Sequence, residues 1–129
     1  TGPCRTILYC RVLAGARTRM DRWETQLRKG VVELAVLAAL ARGEAYGYGI
    51  VERLRGLEGL ELTESTVYPA LTRLARDGCL AVRTEASPAG PPRRYYRLTA
   101  DGRRRLRHLA EGWGRVSRSL AGLLEGAQP

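Results

Sequence analysis

Histidine and aspartate are scarce in this sequence, and their scarcity limits the chemistry that it can support. His108 is the only histidine, and the three aspartates (Asp21, Asp77 and Asp101) form no motif with it. The chain therefore offers little support for acid–base or nucleophilic catalysis, and a metal site would need more ligands. It also has no glycine-rich phosphate-binding loop. We expect a protein that is not an enzyme and that uses no cofactor or metal.

Cysteine is represented by only three residues, Cys4, Cys10 and Cys79. Their number is odd and no C-x-x-C pair occurs, so the sequence predicts neither a disulfide framework nor a zinc knuckle. Cys79 begins an apolar, strand-like run, which predicts a place in the core. This cysteine usage fits a reducing, cytoplasmic setting.

Long apolar runs are absent too. None reaches the roughly 18 residues that a membrane-spanning helix needs. The segment ILYCRVLAGA at 7–16 only faintly resembles the apolar part of a signal peptide, because Arg11 interrupts it. We expect no transmembrane segment.

Charge, by contrast, is abundant and of one sign. The formal net charge is +9 and the pI is about 10.3, with the basic excess in residues 1–19 and from residue 63 onward. An acidic partner is therefore expected, with nucleic acid before an anionic membrane surface. Lys29 is the only lysine and phenylalanine is absent, which is typical of GC-rich coding, so the arginine count alone is weak evidence for nucleic-acid contacts.

The chain divides into three predicted segments. Residues 1–19 precede the only methionine, Met20, and carry no organised pattern. We interpret them as a leader or other non-native extension, with a genuine basic arm as the alternative. Residues 20–98 are predicted to form one small domain, and residues 99–129 a C-terminal helix.

Three helices are predicted in the first part of the domain. The first spans Gln26–Arg42 and is apolar nearly all round, so it should be buried. Its predicted inner face is Leu27, Val31, Leu34, Ala38 and Ala41, with Leu37 and Leu40 beside it. The second follows in AYGYGIVERLRGL, and GLEGLEL after it is a connection or short strand.

The third predicted helix, TESTVYPALTRLARDG at 63–78, has two different faces. Thr63 is its expected N-cap and Gly78 its end. The apolar side chains Val67, Ala70, Leu71 and Leu74 recur at helical spacing and predict a packed face. The opposite face carries Ser65, Thr66, Tyr68, Pro69, Thr72, Arg73 and Arg76. Pro69 cannot donate to the Ser65 carbonyl, so the opening turns should bend and direct the hydroxyls outward, unless the kink has no contact role.

Two β-type runs, CLAVRTE and RRYYRLT, flank the loop ASPAGPP. In the second run alternate side chains face opposite ways, which predicts that Tyr96 and Leu98 point inward and that Arg93 and Arg97 point to solvent. Arg94, at the edge of the loop, can also swing outward. Three helices followed by such a hairpin are the order of a winged helix-turn-helix domain, so we expect a mainly α fold with a small β-hairpin. Arginines at a wing suit phosphate or minor-groove contact, although the hairpin could be merely solvated.

The last predicted helix, from about Thr99 to Leu124, carries a heptad-like apolar seam. The seam consists of Leu106, Leu109, Trp113, Val116, Leu120 and Leu123. A narrow stripe of this kind predicts a symmetric homodimer, the alternative being packing on the chain's own first helix. Gly112 and Gly114 flank Trp113, and such glycines are costly in a helix. Close backbone approach at a dimer seam, or a hollow beside the indole, would account for them.

Four motifs together resemble the PadR-like transcriptional regulators: LRKGVVELAVLAAL, YGYGI at 46–50, ESTVYPALTRLARDG at 64–78 and GPPRRYYRLTADGRR at 90–104. The resemblance implies a winged-helix dimer that represses genes and leaves DNA when a small molecule binds. It implies that the third helix, with Ser65, Thr66, Tyr68, Thr72 and Arg73, enters the major groove and that the Arg93–Arg97 wing flanks it. EGWGRV at 111–116 is similar to the tryptophan segment with which multidrug-responsive relatives bind flat aromatic compounds. The short C-terminal region is similar to that of the compact subgroup, and residues 1–19 match nothing in the family.

The sequence thus predicts a cytoplasmic, homodimeric regulator of double-stranded operator DNA, with no membrane partner. It is expected to be a repressor with a small aromatic effector. The alternative is a winged-helix module that binds another protein and whose basic surface only keeps it in solution.

Overall fold

A computed structural model describes the backbone of residues 17–127 and the side chains of residues 22–127. Most of the predicted extension at 1–19 therefore lies outside the described residues, as do Cys4 and Cys10. The elements run in the order helix, short strand, two helices, two strands and a long helix. Their bounds are α1 Arg17–Ala39, β1 Ala45–Tyr46, α2 Gly47–Arg55, α3 Glu64–Arg76, β2 Leu80–Glu85, β3 Arg93–Leu98 and α4 Ala100–Gly126. None of these helices has the length and apolar character needed to cross a membrane.

The first helix differs from its prediction at both ends and in its buried face. It begins at Arg17 rather than Gln26, since the residues before Gln26 include no proline or glycine to interrupt it. It ends at Ala39 rather than Arg42, where turns begin. Its buried side chains are Val32, Val36 and Leu37, followed by Leu40 just past its end, so the buried face includes the two leucines predicted beside the stripe but not the stripe itself. A helix that is apolar nearly all round offers no periodicity from which to choose the inner face.

The second helix is shorter than predicted, because Ala45 and Tyr46 form β1 instead. This two-residue strand pairs with β3, Ala45 with Tyr96 and Tyr46 with Tyr95. The connection after α2 consists of turns rather than a strand, and Leu62 anchors it in the core.

Helix α3 is continuous through Pro69 and buries the predicted face of Val67, Ala70, Leu71 and Leu74. Thr63 is the N-cap, but its side chain makes no capping bond; its hydroxyl lies 3.0 Å from that of Ser65. At the other end Gly78 adopts φ 81°. The amide of Cys79 donates to Leu74 and that of Gly78 to Ala75, the pattern of a Schellman motif, which ends the helix sharply.

The sheet has the order β1–β3–β2 and is antiparallel throughout. Tyr96 and Leu98 are buried while Arg93 and Arg97 are exposed, which confirms the predicted alternation of β3. The hairpin is the wing of a winged helix-turn-helix domain.

Helix α4 is attached tightly at its first turn. The Thr99 hydroxyl accepts from the amide of Gly102 and donates to the carbonyl of Gly78 at 2.6 Å. Arg105 then pairs with Glu33 of α1 at 2.9 Å and with Asp77 at the end of α3 at 3.6 Å. Hydrogen bonding to Glu33 raises the pKa of Arg105, so the guanidinium group remains protonated and positively charged. The start of α4 is thus fixed to both α1 and the end of α3.

Candidate nucleic-acid interface

The outer face of α3 forms a polar ridge between two grooves. Its residues are exposed except for Thr66, which is half-buried, and they are Ser65, Thr66, Tyr68, Pro69, Thr72, Arg73 and Arg76. None of the ion pairs among residues 22–127 includes Arg73 or Arg76. The hydroxyl of Thr72 donates to the Tyr68 carbonyl at 3.1 Å, so its oxygen can still accept a hydrogen bond. The ridge therefore presents two unpaired guanidinium groups among short polar side chains.

Half of the residues that line the groove on the wing side of α3 are aromatic or basic. It has a volume of about 470 Å³, and its lining includes Tyr46, Tyr48, Tyr68, Arg93 and Arg94. The guanidinium of Arg93 stands 5.3 Å from the centre of the Tyr46 ring. Arg93 and Arg94 are brought next to α3 here, as the sequence predicts for a wing, whereas Arg97 lies further along β3.

Tyr68 borders this groove and is positioned by a glycine. A Cβ on Gly47 would lie 2.9 Å from Cε1 of Tyr68, so the absence of a side chain at residue 47 lets the ring lie against the start of α2, and a larger residue would make the ring shift. Partial burial raises the pKa of the Tyr68 phenol above its ordinary value of 10. The hydroxyl stays protonated at neutral pH and can donate a hydrogen bond to an anion.

The groove on the other side of α3 lies against α1. It has a volume of about 550 Å³ and is lined by Thr25, Arg28, Lys29, Val32, Ser65, Thr66, Pro69 and Arg73. Sequence patterns did not indicate this groove, because it exists only where the polar side of α1 crosses the opening turns of α3.

Arg83 of the wing forms contacts that hold the wing in place. Arg83 of β2 forms hydrogen bonds at 2.7–3.0 Å with both carboxylate oxygens of Glu44 and at 2.9 Å with Glu85, and it stacks 4.4 Å from the ring centre of Tyr95. Hydrogen bonding to Arg83 lowers the pKa of Glu44 below its ordinary value, so the pair remains charged. Sequence reasoning missed this cluster, since Glu44 and Arg83 are 39 residues apart.

The predicted seam of α4 divides into two parts. Leu106 and Leu109 pack against the core, whereas Trp113, Val116, Leu120 and Leu123 are 48–68% exposed. An apolar groove of about 310 Å³ separates the exposed part from α1 and is lined by Gln26, Leu27, Gly30, Val31, Leu34, Leu109, Gly112, Trp113 and Val116. Three residues of the stripe that was predicted to face the core, Leu27, Val31 and Leu34, are half-buried and face this groove instead, whereas Ala38 and Ala41 are exposed. No three metal-ligating side chains cluster within the described part of the chain.

Comparison with known proteins agrees with this architecture. Residues 36–108 match the model of the transcriptional regulator PadR-like family. A PadR-like transcriptional regulator from Bacillus cereus is 32% identical over 77% of this chain and 96% of its own, with a TM-score of 0.67. A PadR family transcriptional regulator from Eggerthella lenta is 31% identical over 92% of this chain and 97% of its own, with a TM-score of 0.70.

A third similar structure includes DNA. It is Bacillus subtilis PadR in complex with operator DNA, which is 29% identical over 60% of this chain and 45% of its own, with a TM-score of 0.56. The shared part is therefore less than half of that protein.

Proposed function

Since the chain belongs to the PadR-like family of transcriptional regulators, we propose that it represses genes by binding operator DNA as a homodimer and that a small hydrophobic or aromatic effector releases it. The observation that carries this proposal is the ridge of α3, whose polar side chains and unpaired guanidinium groups stand beside an arginine-bearing wing.

The ridge has the shape and chemistry of a major-groove reader. A single helix fits the major groove, and the N-terminal part of a recognition helix meets base edges. Ser65, Thr66 and Tyr68 can bond bases or phosphates from there, and Arg73 is long enough to reach a guanine. Arg93, Arg94 and Arg97 of the wing, together with Arg76, would then neutralise phosphates. We infer from this proposed activity that the protein works in the cytoplasm, with the DNA.

The exposed part of α4 supports the homodimer. Trp113, Val116, Leu120 and Leu123 share one face and extend the stripe that Leu106 and Leu109 begin against the core. Two such helices packed around a twofold axis would cover these side chains. The paired recognition helices would then read half-sites about one helical turn apart. We assign residues 20–98 to DNA binding and residues 99–129 to dimerisation.

The apolar groove between α1 and α4 supports the effector. Its walls are mostly aliphatic and Trp113 stands at its edge, so a flat aromatic compound could stack on the indole. Gly112 adjoins open space beside that ring: a Cβ there would meet only the end of the Arg115 side chain, at 3.9 Å.

The test is fluorescence anisotropy with DNA from upstream of the protein's own gene, at two salt concentrations, against scrambled competitor. We expect salt-steep, competitor-resistant binding. Arg73→Ala should weaken operator binding by about 1–3 kcal/mol and relax the preference at one base pair. Arg107→Ala is the matched control, because Arg107 is exposed on the side of α4 opposite the seam. Equal binding by wild type and Arg73→Ala would contradict the assigned contact, and weak binding indifferent to sequence would favour a protein-binding module.

A further inference from the structure

We propose that α1 is a second DNA-contacting element: Lys29 binds the phosphate backbone on the side of α3 opposite the wing. The proposal rests on the DNA-binding function proposed above. It adds a contact from a helix to which neither the sequence patterns nor the family resemblance gave a role in DNA binding.

The geometry brings Lys29 to the edge of the ridge. Lys29 of α1 and Arg73 of α3 line the same groove, and the hydroxyl-bearing Ser65 belongs to that lining as well. Lys29 is exposed, and no ion pair among residues 22–127 includes it. Its ammonium group is therefore not neutralised by a carboxylate of the described chain.

Arg28, the basic residue next to Lys29, already has partners within the fold, so we assign the phosphate contact to Lys29 alone. Nε of Arg28 donates to the carbonyl of Leu60 at 2.6 Å, and its Nη2 stands 3.5 Å from Glu24. Arg28 thus ties α1 to the connection before α3 and has a local counter-ion. Of the two adjacent basic residues, Arg28 stabilises the fold and Lys29 is available to a ligand.

The shape of DNA indicates what that ligand is. A helix in the major groove, which is about 12 Å wide, lies between two phosphate backbones. The wing side of α3 already presents Arg93 and Arg94 to one backbone. The groove against α1 is continuous with the other side of the same ridge, so its cations meet the second backbone. Lysine serves well there, because its ammonium group is a compact charge with three donors that needs no fixed geometry.

The salt dependence of binding tests this assignment in the full chain. Lys29→Gln should weaken binding to operator and to scrambled DNA by the same factor, and leave the preference between them unchanged. The slope of log K against log salt should fall by about 0.9 for each lost phosphate contact, or about 2 for a dimer on its operator. Arg107→Gln removes the same charge from a side chain outside both grooves and should leave the slope unchanged. Lys29→Arg should restore it.

The outcomes separate this inference from the proposed function. Wild-type protein that binds its operator with a steep slope, together with a Lys29→Gln slope equal to that of Arg107→Gln, would overturn the α1 contact and leave the function standing. A change of base preference in Lys29→Gln would also overturn it, since a phosphate contact carries no sequence information. Wild-type protein without salt-dependent DNA binding would contradict the function and this inference together.

Discussion

Substitution of Gly102 by alanine should destabilise the protein, whereas the same substitution at the exposed Gly122 of the same helix should not. Gly102 lies in the first turn of α4, where a Cβ would stand 2.1 Å from the carbonyl oxygen of Cys79 and 3.1 Å from its carbon. Even close C–H···O contacts keep carbon and oxygen about 3.3 Å apart. The helix and the start of β2 would therefore have to separate by about 1 Å.

The cost follows from what holds these segments together. The amide of Thr99 donates to the same Cys79 carbonyl at 3.1 Å, and the Thr99 hydroxyl donates to Gly78. Overpacking costs about 1–3 kcal/mol, and each weakened hydrogen bond about 1 kcal/mol. Alanine returns at most about 1 kcal/mol of helix propensity. We expect a net loss of about 2–4 kcal/mol, or roughly 10 °C in Tm for a domain of this size.

Thermal unfolding by circular dichroism, at one fixed protein concentration, measures this loss. Gly122→Ala is the matched control, since Gly122 is exposed in the same helix and a Cβ there meets nothing within 4 Å. The control should melt at or slightly above the wild-type temperature. If Gly102→Ala melts within about a degree of the wild type, then the first turn of α4 does not press on Cys79 and the reasoning fails.

Three further substitutions address the remaining parts of the molecule. Leu120→Lys should leave the fold intact and abolish the dimer in sedimentation or light scattering, and a stable dimer of this variant would place the interface elsewhere. Trp113→Ala should loosen the dimer or remove the response to effector, an idea that a fully dimeric and inducible variant would refute. Glu44→Gln should lower Tm at pH 7. The lowered pKa of Glu44 means that its carboxylate stabilises the fold above pH 4.5, and this contribution is lost as pH falls below that value. The Tm difference from wild type should therefore shrink there; a constant difference would contradict the ion pair with Arg83.

The parts of the fold that follow a strict period could be predicted from the sequence. Tyr96 and Leu98 alternate with arginines along β3, and the buried side of α3 recurs at helical spacing, so both faces were predicted correctly. Thr99 was expected near the start of α4 and is its N-cap. Each of these patterns lies within a single helix or strand, so it can be recognised without knowing how the elements pack together.

The parts that depend on how segments cross could not be predicted in this way. The predicted inner face of α1 was wrong because the helix is apolar on several sides, and only its packing in the assembled core selects Val36 and Leu37 as buried side chains. Strand β1 exists because the edge of β3 offers Tyr46 hydrogen-bonding partners, not because two residues carry a pattern. The groove containing Lys29 likewise depends on the crossing of α1 and α3.

Helix α4 is fixed to the rest of the domain at its N-terminal end, so a displacement along the helix becomes larger toward its C-terminal end. Its 27 residues span about 40 Å, and the end pinned by Thr99 and Gly102 adjoins the end of α3. Contacts with the core continue to Leu109, and Trp113 lies about 6 Å further along the helix. A bound compound that displaces the helix by about 1 Å at the indole would therefore move its far end by several times as much. If two chains dimerise along α4, this movement would change the distance between their two recognition helices.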